Sequence, residues 1–167
     1  GFIAKYNAAG SSLWAQAFGG ASWDAAGRVA CDAAGNIHVT GQYTSSCAFG
    51  AVNVNGTSDR DLFVAKYSAA GTPQWALGST GSSWKEGLDV ALSATGQVFF
   101  CGWHTGITTV GGITLTGDPT SNYALLGSIN SSGTLQWLKQ FTSSLGSTGS
   151  ALAIRPGGEL VLAGTFS

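Results

Sequence analysis

The residues of this chain whose types suit them to chemistry are few, and their spacing is poor for catalysis. His38 and His104 stand apart in sequence, and Cys31, Cys47 and Cys101 show neither a CxxC nor a Cys/His zinc spacing. No nucleophile elbow, phosphate loop or GxGxxG after a strand is present. No catalytic residue, metal ligand or cofactor is therefore assigned, and an enzyme is not expected. Asp59-Arg60-Asp61 offers two carboxylates to calcium, but Thr120 to Asn122, its counterpart further on, does not recreate them, so turn chemistry at the start of a strand accounts for them. Lys5 and Lys66 fall in apolar segments and call for carboxylate partners, with Asp32 and Asp89 as candidates. What remains is aromatic: Trp23, Trp84 and Trp103, with His104 next to the last, are the expected ligand-binding residues.

The other three of the six tryptophans explain why those stand out. Trp14, Trp75 and Trp137 recur at steps of 61 and 62 residues, each closing a copy of one segment: FIAKYNAAGSSLW, FVAKYSAAGTPQW and LLGSINSSGTLQW. Each copy reads as a strand, a turn whose Gly (Gly10, Gly71, Gly133) follows Asn7, Ser68 or Asn130 by three residues, and a second strand. A second landmark keeps the same step: Gly35 to Gly41, Gly96 to Gly102 and Gly158 to Gly164. The single extra residue lies between Gly117 and Leu125, in a loop, where a stack of equal units tolerates it.

Four strands fill one period. In the first they run from Phe2, up to about Phe18, over Gly27 to Cys31, and over Asn36 to Tyr43; the second has Val90 to Leu92 and Gln97 to Trp103, and the third closes on Ala151 to Arg155 and Glu159 to Phe166. Between Ser45 and Asp61 an excursion carries its own alternation, Phe49, Val52, Val54 and Gly56, repeated as Val110, Ile113, Leu115 and Gly117, and reads as an extra hairpin or a long edge loop. No segment sustains a 3.6-residue apolar period and Gly is frequent, so the fold class is all-β. Residues 1–167 read as one segment of a β-propeller of four-stranded antiparallel blades, with repeats at about 2–61, 62–123 and 124–167, the last incomplete; a β-sandwich, the alternative, does not repeat internally. In that frame Trp14, Trp75 and Trp137 pack between blades, while Trp23, Trp84 and Trp103 lie at strand ends on one face.

Composition narrows the class of partner. Only 9% of residues are charged, 26 are Gly, and the net charge of −1 is spread singly, which excludes a nucleic-acid footprint. No apolar run reaches the length of a membrane span, so membrane insertion is not expected. A surface poor in Lys and Glu and rich in small hydroxylated residues points to a secreted or cell-surface protein. Met is absent and the chain opens within a strand, which reads as processing or as an excerpt of a longer polypeptide. Cys31, matching Leu92 and Ile154, is expected as a small core residue, and all three cysteines as free thiols.

The motifs D-L-F-V-A-K-Y-S-A-A-G-x-x-x-W at Asp61 to Trp75, F-G-G at Phe18 to Gly20, V-A-C-D-A-A-G-N-I-H-V-T-G at Val29 to Gly41 and V-N-V-N-G at Val52 to Gly56 resemble the SBBP β-propeller repeats of bacterial secreted proteins. The third repeat departs, with Ser128 in place of Lys5 and Lys66, Arg155 in place of Asp32, and no F-G-G. The resemblance implies a structural or protein-interaction module at the bacterial surface or outside the cell; a glycan-binding propeller using the aromatic face is the alternative. Three repeats are too few to close a propeller, so flanking blades or self-association would complete the ring.

Overall fold

The computed structural model describes residues 1–57, 60–144 and 146–166. Among them are sixteen β-strands and no helix, and all named strand pairs are antiparallel. Two four-stranded meanders form the body. One runs β3 (Ala25–Cys31), β4 (Ile37–Tyr43), β7 (Asp61–Tyr67), β8 (Pro73–Thr80); the other runs β9 (Lys85–Leu92), β10 (Val98–His104), β13 (Tyr123–Ile129), β14 (Leu135–Phe141). Flanking them are two two-stranded pieces, β1 (Phe2–Tyr6) with β2 (Ser12–Ala17), and β15 (Ser147–Ile154) with β16 (Leu160–Phe166).

The excursions are hairpins, β5 (Ser46–Phe49) with β6 (Val52–Asn55), and β11 (Ile107–Val110) with β12 (Ile113–Thr116). Their destination is the preceding sheet. β11 leaves the second meander and pairs with β8 of the first, Thr109 opposite Thr80. One repeat earlier, Ala48 of β5 bridges Gly19, just beyond β2. Each hairpin therefore straps its own sheet to the one before.

β7 shows how the core is divided. Its alternate side chains point to opposite faces: Phe63, Ala65 and Tyr67 join Ile3, Phe18, Tyr43 and Phe49 on one side, and Leu62 and Val64 join Val90, Phe100, Leu125 and Ile129 on the other. A strand buried on both faces reads as a continuous apolar run, as Leu62 to Ala65 does.

The recurrent Gly at the end of each second strand has a steric cause. A bulge interrupts β3, β9 and β15 at Gly27, Leu88 and Ser150, the same repeat position three times. It pushes the preceding strand over the neighbour, so that a Cβ on Gly41, Gly102 or Gly164 would overlap the carbonyl oxygen of Ala25, Glu86 or Thr148. The turn glycines answer a different need: Gly10, Gly71 and Gly133 have φ of 80°, 85° and 89°.

Three expectations need correction. Cys31 is exposed, because no sheet covers that side of β3 among the described residues. β3, β9 and β15 begin several residues earlier than their apolar cores, at Ala25, Lys85 and Ser147, since backbone pairing continues through residues that carry no apolar alternation. Lys5 and Lys66 form no ion pair among the described residues: Lys5 Nζ donates to the Ala69 carbonyl at 3.1 Å, Asp89 is taken by Arg28 at 3.1 Å, and Asp32 lies 3.8 Å from His38.

Candidate ligand face

The loops that lead into β7 and β9 and the far end of β10 converge at one end of the sheets. Arg60 precedes β7, Trp84 precedes β9, and Lys85 N donates to the Arg60 carbonyl at 2.9 Å, which holds the starts of the two strands together. Trp103, near the end of β10, sits opposite Glu86 in the β9–β10 register. The Arg60 guanidinium is 5.4 Å from the Trp84 ring centroid and 5.9 Å from that of Trp103, so one cation contacts both indoles. Its Nη1 also reaches Glu86 Oε2 at 3.4 Å. Trp84 remains 54% exposed, which is what a stacking platform requires. Its backbone is fixed from both sides, Trp84 N donating to Thr105 Oγ1 at 3.1 Å and Thr105 N to the Trp84 carbonyl at 2.9 Å.

Beneath this cluster lies an ion pair with no exposed surface. Lys85 Nζ donates to Asp61 Oδ1 at 3.0 Å and to the carbonyls of Gly81 and Ser83 at 3.2 and 3.0 Å. Asp61 also accepts from Ser79 Oγ at 3.0 Å and from Thr57 N at 2.9 Å. Burial pushes the Lys85 ammonium below its ordinary pKa, against the hydrogen bond and charge of Asp61. Asp61 is thus spoken for inside the sheet, and Asp59 of the proposed calcium pair lies outside the described residues. Among the described residues no three His, Cys, Asp or Glu side chains converge into a metal site.

The other expected site residues fall elsewhere. Trp23, the counterpart of Trp84 one repeat earlier, is 71% exposed beside Gly20 and Asp24, with no arginine stacked on it among the described residues. His104 is fully buried; its Nε2 meets Gln140 Oε1 at 3.0 Å and its ring packs 5.7 Å from Tyr123. Burial, with Lys85 nearby, lowers its pKa despite the hydrogen bond to Gln140, and with no exposed surface it offers nothing to a ligand. The structure therefore joins Trp84 and Trp103 and adds Arg60 and Glu86. Glu86 is within reach of sequence reasoning, since it lies two residues beyond Trp84 at the start of β9; Arg60 has no such signal. The four do not recur together: Gln42 and Thr165 replace Trp103, and Ala25 and Thr148 replace Glu86. A feature built once on a repeating frame is a specific feature.

Between sheets the geometry repeats. Trp14 Nε1 donates to the Ala69 carbonyl at 3.2 Å, and Trp75 Nε1 to the Ser131 carbonyl, also at 3.2 Å. Gly71 and Gly133 lie over those indoles, leaving a Cβ only 2.9 and 2.8 Å of clearance. No protein-family model matches the chain, and no curated protein matches it.

Proposed function

We propose that the chain is a β-propeller segment of SBBP type that serves as a structural or protein-interaction module of a bacterial secreted or cell-surface protein. The observation that carries this is the repeated inter-sheet contact: Trp14 to Ala69 and Trp75 to Ser131 use the same atoms at the same distance. Equal contacts between equal units impose the same rotation at each step, and equal rotations generate a ring or a helix. In the ring β3, β9 and β15 stand innermost, consistent with Arg28 of β3 reaching Asp89 of β9, and Asp89 in turn accepting from Leu152 N of β15 at 2.7 Å.

The presented surface is the Trp84–Arg60–Trp103 face. A glycan is the second reading, favoured by an exposed indole beside paired Arg60 and Glu86, since sugars stack on aromatic rings and hydrogen-bond to charged rims. Electron micrographs of the purified chain test the architecture: sheets arranged radially about one axis support it, and a two-layer particle removes it. Glycan-array binding that disappears in Trp84→Ala and Trp103→Ala assigns the second reading.

A further inference from the structure

The four residues ahead of β9, Gly81 to Trp84, are each tied down. Gly81 N donates to Thr57 Oγ1, and that hydroxyl donates to the Gly81 carbonyl, both at 2.7 Å. Lys85 Nζ donates to the carbonyls of Gly81 and Ser83 at 3.2 and 3.0 Å. Ser82 Oγ accepts from Ile107 N at 3.3 Å, and Trp84 exchanges hydrogen bonds with Thr105. Ser83 takes a φ of 68°, a left-handed conformation that a serine keeps only where its surroundings impose it. Imposed strain of this kind gathers at binding sites. The other left-handed serine, Ser45, has a plainer cause: it stands where the next repeat has Gly106, at the turn into a hairpin. The loop ahead of Trp23 is built differently. Ser22 has no positive φ, and Asp24 takes the place of Lys85, accepting from Gly20 N at 2.7 Å.

The outcome is an indole that is 54% exposed yet fixed in place, which lowers the ordering cost of whatever stacks on it. Charge narrows what that is. Both cations of the cluster are answered by carboxylates, Arg60 by Glu86 at 3.4 Å and Lys85 by Asp61 at 3.0 Å, so a polyanion would have to displace one of them. We infer that the Gly81–Trp84 loop is a preorganised platform for a neutral polysaccharide of β-linked glucose; this rests on the glycan reading above. One sugar ring lies flat on Trp84, while Glu86 accepts from its hydroxyls and Arg60 donates to them. A β-glucopyranose carries its ring substituents equatorially, which leaves flat faces of C–H bonds, and these meet the negative face of an indole well. Thr57 and Lys85 are positioning residues, acting on the sugar through the loop they hold.

Electrophoresis of the purified chain through gels containing hydroxyethyl cellulose or polygalacturonate tests this. The expected result is retardation by the cellulose derivative that persists at about 1 M salt, where charge attraction is screened. Trp84→Ala should abolish it, and Trp84→Tyr should keep it within about threefold. Thr57→Val, at an exposed position, should keep the melting temperature and weaken retardation by up to about tenfold, the cost of ordering a loosened loop on binding. Retardation by polygalacturonate alone, or cellulose binding that survives Trp84→Ala, overturns the inference and leaves the glycan reading standing. Full binding by Thr57→Val overturns the preorganised loop. Retardation by neither polymer, with a blank glycan array, removes the glycan reading together with the inference and leaves the face to a protein partner.

Discussion

Arg28 and Asp89 occupy the same position of two successive repeats, and their side chains meet at 3.1 Å across the gap between sheets. The pair is lopsided. The Arg28 side chain is 60% exposed and that of Asp89 7%, and Asp89 also accepts from Val90 N and Leu152 N at 2.8 and 2.7 Å. Arg28→Ala should therefore cost under about 1 kcal/mol, as exposed ion pairs do. Asp89→Ala should cost about 2 kcal/mol, because it strands a buried amide and loosens β15. Urea unfolding of the two variants checks the order.

Gly102→Ala should be among the most damaging small substitutions, at about 3 kcal/mol or more, since the new Cβ must displace the Glu86 carbonyl at the bulge. Gly112→Ala, at φ of 86° with open space around it, should cost about 1 kcal/mol. Melting temperatures falling by equal amounts would contradict the steric account of the repeated glycine.

Acid should weaken the fold through His38. Burial lowers its pKa to about 4, helped by the Lys66 charge and opposed by Asp32. A neutral buried imidazole contributes its full stability above the unfolded value near 6.5, and loses it as pH falls from there toward 4. The shift corresponds to about 3 kcal/mol. His38→Phe, the residue present at the equivalent Phe99, should flatten that part of the stability–pH profile measured between pH 7 and 4.

Trp75→Ala should cost about 3 kcal/mol, because it empties the space under Gly133 at the contact between sheets. Trp103→Ala, on the outer face beside Arg60, should cost about half that or less while removing any ligand affinity of the face. Calorimetry of both variants separates a packing tryptophan from a presenting one.

How much of this the sequence disclosed differs residue by residue. Trp14, Trp75 and the paired glycines were legible because each repeats a local steric need. Ala25 and Ala26, and Ser147 to Gly149, carry no strand signal, because Ala, Ser, Thr and Gly show no apolar alternation even where the backbone ladder continues. The destination of β11 on β8 is a long-range pairing with no local signature. His104 looked like a rim residue next to Trp103 but alternates to the opposite, buried side of β10. The Trp84–Arg60 contact joins the loops ahead of two different strands and is written in neither alone.

The central claim is that successive sheets are related by one rotation about a common axis. Spin labels at Ser11, Thr72 and Thr134, exposed and equivalent in the three repeats, measure it by pulsed dipolar spectroscopy in a Cys31→Ser background diluted with unlabelled chain. Cys47 and Cys101 stay unlabelled, since burial first, with Asp24 and Asp89 adding charge, raises each thiol to about 12. The account predicts equal 11–72 and 72–134 distances, and an 11–134 distance of about 1.4 to 1.8 times either, as rings of about four to eight blades require. Unequal steps, or an 11–134 distance of about twice the single step as a straight stack gives, would contradict it.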